Sequence, residues 1–183
     1  MLAAATELFR ARGYEGVGVA ELLEASGAPR GSLYFHFPNG KEQIGVEVIS
    51  RVGESTLAQF KALGARDIDL DTYIDTVFRT TAKTVKDRSF NASCPIAVIA
   101  AEASTHHSPA LSSAVARVFK GWEQEIARFA ETKGMSAKNA ADFASALVTS
   151  MEGAFVLSKA QRSTGPHLMA ARSTKALAAI LLN

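Results

Sequence analysis

Between residues 30 and 41 the chain gathers side chains suited to gripping a polyanion: Arg30, Ser32, Tyr34, His36 and Lys41, with the bare backbone of Gly31 among them. An arginine at the start of a helix that enters a major groove can give two hydrogen bonds to one guanine, a contact that discriminates by about 1–3 kcal/mol. Arg30 and Ser32 are the candidates for base edges. Tyr34, His36 and Lys41 suit phosphate oxygens, as do the free N–H groups where a helix begins around Lys41. Other reactive residue types promise less. The neighbours His106 and His107 would point about 100° apart on a helix and share no ligand face, so no metal site is expected. Cys94, the single cysteine, has no internal disulfide partner and no basic neighbour to make a thiolate. Nucleophile elbow, phosphate-binding glycine loop and paired carboxylates are absent from the sequence, so neither enzyme activity nor a cofactor is expected.

Those side chains need helices to hold them. Leu2, Ala5, Leu8 and Phe9 have helical spacing and predict a helix over 2–12 that stops at Gly13. A second helix over 19–26 buries Leu22 and Leu23 and ends at Gly27, and a third runs from Pro29 to about Phe37 with Leu33 and Phe37 inward. Two short helices joined by a glycine turn, the second polar outside, are what a helix-turn-helix requires. A longer helix is expected over 41–60, then a linker over 62–69. Further helices are expected over 71–87, from Pro95, from Pro109, from Ser136 to about Arg162, and from Pro166 onward. No alternating apolar runs call for strands. The expected fold is all-α: a three-helix helix-turn-helix domain over 1–48 and a helical effector-binding and dimerisation domain over 49–183.

Bulk charge decides little, since 20 basic residues oppose 18 acidic ones for a net +2. Locally the balance is even acidic: residues 1–50 hold four basic and six acidic residues, a net of −2. Binding to DNA then requires segregation of charge by face and a modest number of phosphate contacts. With no signal-like segment and no run of about 18 apolar residues, a cytoplasmic location away from membranes is expected.

The run Ala4-Ala5, Leu8-Phe9, Gly13-Tyr14, Val19-Ala20-Glu21-Leu22-Leu23, Gly27 and Gly31-Ser32-Leu33-Tyr34-Phe35-His36-Phe37-Pro38-Asn39-Gly40-Lys41-Glu42 resembles the N-terminal domain of the tetracycline-repressor (TetR) family. Gly40 before Lys41, with Cys94-Pro95-Ile96-Ala97, is similar to the family's multidrug-responsive LmrA/YxaF-like branch. The resemblance implies a DNA-binding homodimer with an inducer pocket in its C-terminal domain. It puts Tyr34, His36 and Lys41 on phosphate-contacting positions and Arg30 and Ser32 on the recognition face. Family members usually carry a short basic segment before the first helix, whereas Met1 here stands at that helix's start.

In the C-terminal part, Phe78, Cys94, Ile96, Phe119, Trp122, Met151 and Phe155 are the candidate lining of an apolar effector site, although a helical core needs such residues too. Small residues recur over 140–160 and 170–179, which lets helices approach closely and marks both for a dimer interface. The expected partners are therefore double-stranded operator DNA, a small hydrophobic or aromatic effector and a second copy of the chain. The rival reading is a helical small-molecule binder that does not recognise an operator.

Overall fold

The computed structural model describes every residue except 30, 92, 104–107 and 183, and of residue 103 only the backbone. Among the described residues there are nine helices and no strand: α1 (Leu2–Arg12), α2 (Val19–Ser26), α3 (Ser32–His36), α4 (Gly40–Gly64), α5 (Leu70–Asp87), α6 (Pro95–Ala103), α7 (Pro109–Thr132), α8 (Ala137–Gln161) and α9 (Gly165–Leu181). The fold is all-α, as the periodicity implies. The chain forms two compact units, each assembled from two stretches: residues 1–55 with 93–118, and residues 56–92 with 119–183.

Local chemistry explains several of the helix ends. The carboxylate of Asp69 accepts the Thr72 N–H at 2.7 Å, and the hydroxyl of Ser136 accepts the Asn139 N–H at 3.2 Å, so α5 and α8 each begin on a side-chain cap. Hydrogen bonding from the Thr72 side chain, followed by that from its backbone N–H, holds the Asp69 carboxyl below the usual carboxylate range. Gly27 closes α2 in the left-handed conformation, φ 66°, which glycine adopts without steric cost. The region expected as a linker is shorter than its composition suggests. Helix α4 continues through 61–64, because Phe60 and Leu63 extend its apolar face and are buried.

In the first unit, α1 packs on α2 and α6 around Ala5, Phe9, Val17, Leu22 and Leu33. Helix α4 lies unusually close to α7. A Cβ on Gly45 would stand 2.8 Å from Leu111 Cδ2, and one on Gly53 would stand 2.5 and 2.7 Å from the two methyls of Val118. A helix-interior glycine costs about 1 kcal/mol in propensity, so close approach is what these positions gain in return. Gly53→Ala is accordingly expected to destabilise despite its better propensity. Val118 is β-branched and stiff at χ1, so the overpacking penalty of about 1–3 kcal/mol exceeds the propensity gain. A chemical-denaturation midpoint at or above wild type would contradict that expectation.

In the second unit, α8 is the central helix. Its stripe Ala140, Phe143, Ala144, Leu147, Val148, Met151, Ala154 and Phe155 is buried, and it packs against α5 and α9. Among the described residues α8 alone is long and apolar enough to cross a membrane, but 44% of its most apolar window is buried inside the protein, as expected of a core helix. Tyr73 stacks on Phe129 at 4.2 Å, and Trp122 meets Phe60 and Phe119 edge-on at 6.0 and 5.4 Å. Between α8 and α9, Ser158 and His167 are fully buried and joined by a 2.8 Å hydrogen bond to Nδ1 of the imidazole.

Candidate nucleic-acid interface

Helix α3 has only five residues, too few to be stable alone, so its orientation comes from what it buries. Leu33 and Phe37, one turn apart, are 1% and 8% exposed and anchor it. The intervening residues Tyr34, Phe35 and His36 all face outward, Tyr34 at 63% and Phe35 at 83% exposure. Tyr34 and His36 were expected on the outward side, and both are exposed there. Phe35 is an addition that its type concealed: an aromatic residue suggests core, yet an i, i+4 anchor on a one-turn helix leaves every residue between the anchors outside. The His36 ring stands edge-on against it, 5.0 Å between centroids.

The entry to α3 is tied locally. Ser32 donates its hydroxyl and its backbone N–H to the Pro29 carbonyl, at 2.8 and 2.9 Å, which leaves its oxygen lone pairs outward. Gly31 is exposed, with open space where a Cβ would project. The expected base contact from Arg30 lies outside the described residues, as does the His106–His107 pair. Beyond α3 the chain turns through Gly40, at φ 59° and buried, where any side chain would strain the backbone. The Gln43 side chain then accepts the Asn39 N–H at 3.3 Å across the start of α4.

Lys41 is placed differently from the other candidates. Its side chain is 21% exposed, with the ammonium 4.2 Å above the Tyr14 ring and 4.0 Å from Glu15 Oε2. The carboxylate beside it, Glu15, has a side chain that is 36% exposed. Burial, reinforced by the Glu15 and Glu42 carboxylates, pushes the Tyr14 hydroxyl up to about 12, so the ring under Lys41 stays neutral. Arg12 pairs with Glu21 and donates to the Gly16 carbonyl at 2.7 Å, binding α1 to α2. The acidic excess of this region is thus partly spent on holding its own basic residues.

The seven candidate effector residues do not gather in one unit. Cys94 and Ile96, at the start of α6, belong to the first, whereas Phe78, Phe119, Trp122, Met151 and Phe155 belong to the second. All are buried except Phe119, which is half-buried. Among the described residues no cluster of metal-ligating side chains occurs.

Comparison with known proteins agrees with this arrangement. Residues 1–48 match the family described as bacterial regulatory proteins, tetR family, and residues 72–173 match the C-terminal domain of LmrA/YxaF-like transcriptional regulators. The HTH-type transcriptional regulator LmrA of Bacillus subtilis is 30% identical over 175 residues, covering 92% of this chain and 89% of LmrA. An HTH-type transcriptional regulator of Mycobacterium tuberculosis is 31% identical over 172 residues, covering 91% of this chain and 86% of its own. The fold matches the crystal structure of a TetR transcriptional regulator from Legionella pneumophila with a TM-score of 0.85 at 19% identity, over 95% of this chain and 92% of that one.

Proposed function

Because the chain belongs to the TetR family of transcriptional regulators, DNA-binding proteins that are not enzymes, we propose that it is a repressor whose homodimer holds a palindromic operator and lets go when a small hydrophobic or aromatic effector binds. The observation that carries this reading is the outward face of α3, where Tyr34, Phe35 and His36 project while Leu33 and Phe37 hold the helix from beneath. Residues 1–48 form the DNA-binding domain. Arg30 and Ser32 read base edges, Gly31 lets the backbone approach, and Tyr34, His36 and Lys41 take phosphates. The dimer uses α8 and α9, whose Val156, Leu157, Leu168, Met169 and Ile180 are large, apolar and exposed. The effector contacts Phe78, Phe119, Trp122, Met151 and Phe155, which share the second unit, and binds the DNA-incompetent state more tightly, since equal affinity would shift nothing. The setting is cytoplasmic.

Selection from a pool of randomised duplexes tests the reading. The enriched duplexes are expected to be palindromic, to bind two chains, and to be preferred over mixed-sequence DNA. Lys41→Ala is expected to weaken both kinds of DNA alike and to lower the slope of log affinity against log salt by about one, whereas Tyr34→Ala, which removes a neutral hydroxyl, weakens both with little change of slope. Equal affinity for selected and mixed duplexes would instead support the helical small-molecule binder without operator recognition.

A further inference from the structure

One acidic side chain far along the sequence grips the helix-turn-helix by its backbone. Glu102, the penultimate residue of α6, accepts the N–H groups of Tyr14 and Glu15 on a single oxygen, Oε2, at 2.7 and 2.9 Å. Both belong to the turn between α1 and α2. The grip is close: a Cβ at Gly13, φ 82°, would collide with Oε1 of the same carboxylate. Hydrogen bonds from backbone N–H to an ionised acceptor are short and about twice as strong as neutral ones, so this turn is fixed more firmly than its own sequence would fix it.

The two residues so held are the ones that seat Lys41. Tyr14 provides the ring beneath the ammonium, and Glu15 the carboxylate beside it. The Tyr14 ring is itself confined, 5.2 Å from Phe9 and 2.9 Å from where a Cβ on Gly45 would stand. The neighbour of Lys41 is tethered too: Ser108 donates its hydroxyl to Glu42 Oε1 at 2.6 Å while accepting the Leu111 N–H at the start of α7. A lysine held in one place before DNA arrives loses less side-chain entropy when a phosphate engages it.

Building on the DNA-binding reading above, we infer that Glu102 is a positioning residue for DNA binding: by clamping the Tyr14–Glu15 turn it fixes the seat that presents the Lys41 ammonium to a phosphate. Helix α6 thereby acts on the recognition region through one carboxylate.

A double-mutant cycle decides the matter. Wild type, Glu102→Gln, Lys41→Ala and the double variant are titrated onto a fluorescent mixed-sequence DNA duplex across a salt series, with thermal melting recorded in parallel. Glu102→Gln is expected to bind more weakly and to lose about one unit of salt slope, the signature of one phosphate contact. In the Lys41→Ala background it is expected to change nothing further. Removing a carboxylate near DNA would by simple charge tighten binding, so the expected loss runs against that effect. An unchanged slope, tighter binding, or a loss that adds to that of Lys41→Ala overturns the inference. If Glu102→Gln melts below the titration temperature, Tyr14→Leu, which removes the ring but keeps an apolar side chain, decides in the same way. A wild type that binds no duplex at any salt defeats the DNA-binding reading itself, a result distinct from a wild type that binds while Glu102 is silent.

Discussion

Leu33→Ala is expected to abolish DNA binding although Leu33 never reaches the surface. Truncating a buried leucine costs about 2–5 kcal/mol, and Leu33 is 1% exposed near the start of α3. A five-residue helix has no intrinsic stability to absorb the loss. The damage should therefore be local, with α2 and α3 losing amide protection before α8 and α9 do. Hydrogen exchange read by mass spectrometry, beside binding to a selected duplex, checks both halves. Retained affinity would mean that α3 is held by something other than its two anchors. Tyr34→Ala forms the contrast, because it removes an exposed contact and leaves the melting temperature in place.

The second large effect is on acid stability. His167 is fully buried, and burial alone pulls its imidazole down to about 4 from an ordinary 6.5. The folded protein thus keeps this ring neutral at a pH where the unfolded chain would protonate it. A depressed folded value means that the stability is complete above about pH 6.5 and drains away as pH falls towards about 4, at about 1.4 kcal/mol per pH unit. Across that window the loss is about 3 kcal/mol, a large share of an ordinary domain's 5–15 kcal/mol. His167→Asn retains a hydrogen-bonding group for Ser158 but does not titrate there. Its melting temperature is expected to fall less between neutral and acid pH than that of wild type. Parallel curves for the two proteins would show that another group controls the acid limb.

Much of the architecture was readable because it is local. Gly13 and Gly27 closing helices, Ser136 capping α8, and the apolar stripes of α5 and α8 are decided by residues within a turn or two of one another. The outward set on α3 was readable for the same reason, with Leu33 and Phe37 defining an inner side. The linker was placed too early, because Gly64 looked like a breaker yet ends a helix that Phe60 and Leu63 had already extended, and Phe35, to which the sequence assigned no side, sits in solvent. The contacts that tie Lys41 in place were beyond sequence reasoning altogether. Glu102 lies 88 residues from the amide it holds, and nothing in the periodicity of α6 distinguishes it from any exposed glutamate. His167 was overlooked because one histidine on an alanine-rich helix gives no sign that a serine nine residues earlier will meet it.

Cys94 gives the protein an internal stopwatch. It is the lone thiol of the chain, it is shielded from solvent, and it immediately precedes α6. A reagent that alkylates only thiolates reaches this buried thiol faster whenever that end of α6 opens, and each molecule can react once. The rate of that single reaction therefore measures how often the helix bearing Glu102 breathes, with no introduced label to disturb it.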